Sequence, residues 1–140
     1  MFTVATVADA IVSELNAAHF SMEFSAVRAF RPAYDIAELE ALRVTVVPRT
    51  YEINPISRGS DTWQYTVEIG LQKRIEADAD VEELLALVEE IANWFRHRQL
   101  MACPNLSWSG IKIDPAYAPE HLDECKVFTS VLTLTYREVR

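Results

Sequence analysis

The densest group of chemically capable side chains is His121, Asp123, Glu124 and Cys125, at the end of the stretch AYAPEHLDE and just after it, where there is no regular hydrophobic period. Imidazole, carboxylate and thiolate all bind metals, and Asp114 stands close enough in sequence to join them. A zinc site needs a second His or Cys group at short fixed spacing, and none is present. The group therefore reads as a polar, solvated loop, and no metal is expected. Cys103 and Cys125 are too far apart for a redox or metal pair, and two cysteines do not suggest a secreted disulfide framework. Neither has a histidine at a spacing that supports nucleophilic catalysis. Ser107, Ser109 and Gly110 beside Trp108 lack the G-x-S-x-G of a nucleophile turn. His97, between Arg96 and Arg98, reads as a cation at a helix end, and His19 likewise follows a helix. Glu89 and Glu90 are adjacent on a helix, about 100° apart, so they do not pair as acid and base. No catalytic residue and no cofactor is expected.

The elements that would position a site are plainer. Between Asp80 and Leu100, Val81, Leu84, Leu85, Val88, Ile91, Ala92 and Phe95 recur at three- and four-residue steps, one apolar helical stripe. Asp80 is the expected N-cap with Glu83 completing a box, and Arg96 and Arg98 fall in the last turn. Leu85, at the centre of the stripe, is expected to be fully buried. A first helix is predicted over Thr6 to Ala18, capped by Thr6, with Val7, Ala8, Ile11, Leu15 and Ala18 inward.

Alternation predicts strands elsewhere. One runs from Phe24 to Phe30 and ends at Pro32, and PAYDIAELEA after it reads as a loop with a helical turn. Leu42 to Ile53 is a strand in which Pro48 implies a bulge or an edge. Ser60 to Ile75 places Trp63, Tyr65, Val67, Ile69 and Leu71 on its buried side, so its aromatics read as core rather than as a base-stacking platform. NPISRGSD between them reads as a turn-rich linker, so the two strands make a hairpin. Its arms are about twice the usual strand length of about 5–6 residues, so its outer half is expected to project as a two-stranded ribbon. That half mixes Arg49, Tyr51, Glu52, Ile53, Ile56, Arg58, Asp61 and Trp63, charges beside large apolar groups, and is the candidate oligomer interface. MACPNLSWSG reads as a loop, and Ile111 and Ile113 mark a short strand. Lys126 to Val139 is the closing strand, with Phe128, Leu132, Leu134 and Tyr136 on one side. The expected fold is a single α+β domain over residues 1–140, an antiparallel sheet with a long β-hairpin and two main helices packed against it, in the order α-β-β-β-α-β-β.

Half of the residues are hydrophobic and a quarter charged, a globular composition, and three glycines leave little room for a Gly-rich phosphate cradle. The net charge of −8 is concentrated in Glu76, Asp78, Asp80, Glu82, Glu83, Glu89 and Glu90. That sign repels phosphate backbones, so no specific nucleic-acid binding is expected. MFTVATVADAIV has no basic segment and is interrupted by Asp9, unlike a signal peptide. No run approaches the ~18 apolar residues of a membrane helix, so no membrane partner is expected.

Three stretches together resemble the tail terminator (minor tail) proteins of long-tailed bacteriophages: the hairpin RVTVVPRTYEINPISRGSDTWQYTVEIGLQKR, the helix DVEELLALVEEIANWFRHRQL directly after it, and the closing strand FTSVLTLTYREV, with the helix TVADAIVSELNAA at the start. The resemblance is one of order and pattern across nearly the whole chain; neck and tail-completion proteins look similar at this level. It implies a small α+β subunit without cofactor that assembles with itself as a ring, typically a hexamer. Such a ring sits on the major tail tube protein, stops polymerisation and offers a surface to the head–tail connector. The implied location is the virion tail, and the host bacterial cytoplasm during assembly. The alternative is a cytosolic α+β enzyme or small-ligand or metal-binding domain that uses the His121–Cys125 loop.

Overall fold

The computed structural model describes residues 3–30 and 36–140. Helix α1, Val4–Ala17, opens at Thr3, whose hydroxyl accepts the N–H of Thr6 at 3.2 Å. The cap thus lies three residues before the expected Thr6, because Thr3 has the extended backbone and the acceptor that a cap needs. Val7, Ala8, Ile11 and Leu15 are buried as expected, and so is Glu14. Asn16 then clamps Ala26 from both sides, donating to its carbonyl at 3.1 Å and accepting its N–H at 2.8 Å.

Ala26 opens strand β1, Ala26–Arg28, shorter than the alternation from Phe24 to Phe30 suggested. It runs parallel to β2, Arg43–Ser57, so the sheet is mixed at this edge rather than wholly antiparallel. The connection from Arg28 to Arg43, which includes a 3-10 helix at Ile36–Glu40, is long enough for the crossover that parallel pairing requires. The expected strand end at Pro32 lies outside the described residues.

β2 and β3, Ser60–Arg74, form the expected antiparallel hairpin, but its turn is only Arg58-Gly59. Most of NPISRGSD is therefore strand, not linker. Pro48 does introduce a bulge: it faces Val67, Thr50 faces Thr66, and Arg49 is the extra residue between them. A second irregularity falls between Pro55 and Ser57.

Helix α2, Asp78–Phe95, starts two residues before the expected cap. Asp80 is in its first turn and reaches back, its Oδ2 accepting the N–H groups of Glu76 at 2.9 Å and Ala77 at 3.2 Å. Those two hydrogen bonds hold the Asp80 carboxyl below its ordinary range. The buried stripe is Leu84, Leu87, Val88, Ile91 and Phe95, while Leu85 is only half-buried. Leu84, Ile91 and Phe95 run along the middle of the stripe with Leu87 and Val88 on its two flanks, all of them buried; Leu85 is one helical step, about 100°, from Leu84. The helix also stops at Phe95, before Arg96 and Arg98, because His97 takes a left-handed backbone with φ 58°.

The remaining elements are β4, Ser107–Ile113, α3, Pro119–Cys125, and β5, Val127–Val139. β4 begins inside the stretch expected to be a loop. α3 replaces the expected wandering AYAPEHLDE; Pro119 sits in its first turn, and Lys126, left-handed at φ 56°, ends it. The sheet order is β1-β2-β3-β5-β4, and every pair except β1–β2 is antiparallel. α1 packs on β1, β2 and β3, and α2 on β5. Both contribute to one core with Val44, Val46, Val67, Ile69, Leu71, Leu132 and Leu134. The α+β class holds, with α3 and the mixed edge as departures from the expected order.

A polar knot fixes the loop after α2. Arg98 donates from Nε to Glu14 Oε2 at 3.0 Å, Met101 N–H to Glu14 Oε1 at 3.1 Å, and Tyr136 Oη to the Arg98 carbonyl at 2.8 Å. The Arg98 guanidinium also lies over the Trp94 ring, 3.7 Å from its centre.

Candidate functional site

The outer half of the hairpin is built by register. Tyr51 pairs with Tyr65 and Ile53 with Trp63, so these side chains share the sheet face that carries the core further in. Tyr65 is still buried there, but Tyr51 and Ile53 on β2 are not. Every residue from Arg49 to Gly59 is exposed, including Tyr51, Glu52, Ile53, Ile56 and Arg58, and Asp61 and Trp63 are half-buried. Tyr51 and Trp63 stack with ring centres 6.2 Å apart and planes 4° from parallel. Arg49, the bulge residue, donates to Glu68 Oε2 at 2.9 Å.

The ribbon is not isolated, which corrects the sequence expectation. β5 pairs with β3 as far as Thr62↔Val139, and Asp61 and Arg140 exchange backbone hydrogen bonds of 2.6 and 2.8 Å. β4 then flanks β5 to Ser107↔Arg137. A thirteen-residue closing strand needs a partner of similar length, and only a hairpin arm offers one. Length alone therefore held a clue to the extra strand. The consequence is a polar cluster that sequence reading missed. Arg140 lies 4.0 Å from the Trp63 ring centre, donates from Nη2 to Tyr65 Oη at 2.8 Å, and binds Glu138 Oε1 at 2.8 Å. Tyr65 Oη donates to the same Glu138 oxygen at 3.0 Å. Burial, with the Glu138 carboxylate adding to it, pushes the Tyr65 hydroxyl up to about 12.

β2 beyond its short pairing with β1 is a sheet edge, yet it is poorly suited to strand addition. Pro48 and Pro55 donate no hydrogen bond and both irregularities distort the line of the edge. A partner at the hairpin would meet side chains, not a backbone ladder.

The other sequence candidates are dispersed. His121 Nδ1 lies 2.8 Å from Thr129 Oγ1 on exposed α3, and no group of three or more His, Cys, Asp or Glu side chains is arranged for a metal among the described residues. Cys103 is buried, and burial raises its thiol, the wrong direction for a nucleophile, while Cys125 is exposed. His97 packs edge-on against Trp108 at 4.7 Å. Ser109 is the bulge residue of β4. Glu90 is held by Ser21, from its N–H at 3.2 Å and its hydroxyl, and Glu89 is exposed. Compared with protein-family models and with curated proteins, the chain gives no match.

Proposed function

We propose that the protein is a structural subunit of a long-tailed phage or prophage, a tail terminator that assembles with itself into a ring, typically of six. The ring caps the major tail tube protein, ends its polymerisation and presents a joining surface to the head–tail connector. It works by shape and contact, without cofactor or catalysis, in the virion tail and, during assembly, in the host bacterial cytoplasm. One observation carries the reading: the hairpin continues well past the helices with Tyr51, Ile53 and Ile56 at 56, 46 and 58% exposure. Large apolar groups on a well-paired ribbon are characteristic of a surface that another molecule covers. Prolines and bulges along that edge favour a side-chain contact of defined geometry over open-ended sheet growth.

Negative-stain electron microscopy and light scattering of the purified protein test it, with closed rings expected and a monomer at all concentrations overturning it. Replacing Asn54 to Thr62 by an Asn-Gly turn, which keeps Ile53 opposite Trp63, is expected to leave the helical circular-dichroism signal and remove the rings.

A further inference from the structure

Two surfaces on opposite sides of the sheet carry charged side chains that have no ion-pair partner among the described residues. At the hairpin end, Arg58 and Arg137 are exposed, and neither has an ion-pair partner among the described residues. Arg137 borders a groove on the sheet face opposite α1 and α2, between Ile56, 58% exposed, and Val139, 66% exposed. On the helical side, α2 turns outward a face made of Ala79, Glu82, Glu83, Ala86, Glu89 and Asn93, all exposed. Ala79 and Ala86 stand seven residues apart, two helical turns, and Asn93 continues their row after the same interval. The two alanines share one row of this face, with Glu83 on one side of it and Glu82 and Glu89 on the other. These glutamates also lack ion-pair partners among the described residues. The two patches lie on opposite sides of the sheet, so no side chain of one copy joins them.

We propose that the Ile56–Arg137–Val139 groove of one subunit seats on the outward face of α2 in a second copy, which deepens, and rests on, the ring reading above. Ile56 and Val139 lie over Ala79 and Ala86, and Arg58 and Arg137 meet Glu82, Glu83 and Glu89. Both the apolar and the charged parts of one patch find their complement in the other. Arginine beside aliphatic groups is a composition in which contact energy concentrates, and charge matching sets the register. The patches are different surfaces, so the contact is head-to-tail and closes into a ring when its rotation permits.

Charge reversal with mixing tests the pairing. One variant carries Arg58→Glu and Arg137→Glu; the other carries Glu82→Lys, Glu83→Lys and Glu89→Lys. Sedimentation and circular dichroism are expected to show each alone folded, with the concentration needed for assembly raised about tenfold or more. Their equimolar mixture regains the ring, because reversed groove meets reversed helix and the native patches meet each other around an even-numbered ring. Should the reversed helix fail to fold, Ala86→Trp puts a bulky ring on this face without changing charge, and a folded, unassembled product is expected. A wild-type ring that tolerates both reversals, or Ala86→Trp, overturns the docking and leaves the ring reading standing. Reversals that block assembly but do not complement on mixing overturn the pairing of these two patches. A wild type that never assembles overturns the ring reading and this inference with it.

Discussion

The inner and outer halves of the β2–β3 hairpin have the same alternation and opposite fates. In the inner half, Val44 and Val46 face Leu71 and Ile69, all of them at most 1% exposed. In the outer half, Tyr51 and Ile53 continue the same face and are 56 and 46% exposed. α1 packs across the inner half, while the outer half is braced by β5 and β4 in the plane of the sheet and by Arg140 over the Trp63 ring. Alternation therefore reports which side of a strand a residue takes, whereas cover is a property of the layer above it. The inner half is accordingly the part that stability measurements will feel, and the outer half the part that assembly measurements will feel.

The largest expected effect lies in the cover itself. Leu87→Ala removes a fully buried side chain from the α2 stripe and is expected to lower unfolding free energy by about 2–5 kcal/mol in urea denaturation. Leu85→Ala, at a half-buried position, is expected to cost only about 1–2 kcal/mol. Equal costs would move the centre of the stripe back to Leu85. Next comes the knot that holds the loop after α2. Glu14→Ala leaves the Arg98 guanidinium and the Met101 N–H without their acceptor, an expected loss of about 1.5–3 kcal/mol. A loss under about 0.5 kcal/mol would mean that solvent replaces Glu14 without penalty.

How much of this is legible in the sequence varies with the range of the interaction that fixes it. The two helices, the hairpin and β5 follow from local periodicity, and alternation places the buried faces of β3 and β5 as far as Leu71 and Tyr136. Three features are not readable locally. α3 offers one apolar residue packed on the core, Leu122, and so no period to detect. The end of α2 depends on a left-handed His97, a conformation usually left to glycine or asparagine. The parallel pairing of β1 depends on a crossover, not on its own residues. For the candidate surface, residue types mark the outer hairpin, but Arg137, Val139 and Arg140 join it only through the β3–β5 register.

A smaller effect separates the halves by pH. Tyr65 sits where they meet, and its hydroxyl is raised from 10 to about 12 by burial first and by Glu138 second. Its folded value exceeds its unfolded value, so its contribution is fully present below about pH 10 and is lost as pH rises towards about 12. Stability is therefore expected to fall across that window, and Tyr65→Phe to flatten the part due to this group. Tyr136, also raised by burial, will keep part of the decline, so the comparison is between slopes and not between presence and absence. A wild type with no loss between about pH 10 and about pH 12 would place the hydroxyl in solvent.

The smallest effect on the fold is expected at the ribbon's exposed aromatic, Tyr51. Its ring stacks on Trp63, but Trp63 is also covered by Arg140, so that ring keeps a partner when Tyr51 is removed. More than half of the Tyr51 surface is already in water, and little apolar burial is lost with it. Tyr51→Ala should therefore change unfolding free energy by less than about 0.5 kcal/mol. Assembly separates the two faces of the hairpin. Tyr51 lies on the face shared with the core, and Val139 on the face opposite it, beside Thr62. If both faces are buried in the ring, Tyr51→Ala weakens sedimentation-measured association by about tenfold, as the loss of an aromatic anchor does. If only the groove side is buried, Tyr51→Ala leaves association unchanged while Val139→Lys abolishes it. A loss of several kcal/mol of monomer stability from Tyr51→Ala would erase the contrast between the halves, since the outer ribbon would then be supporting the fold.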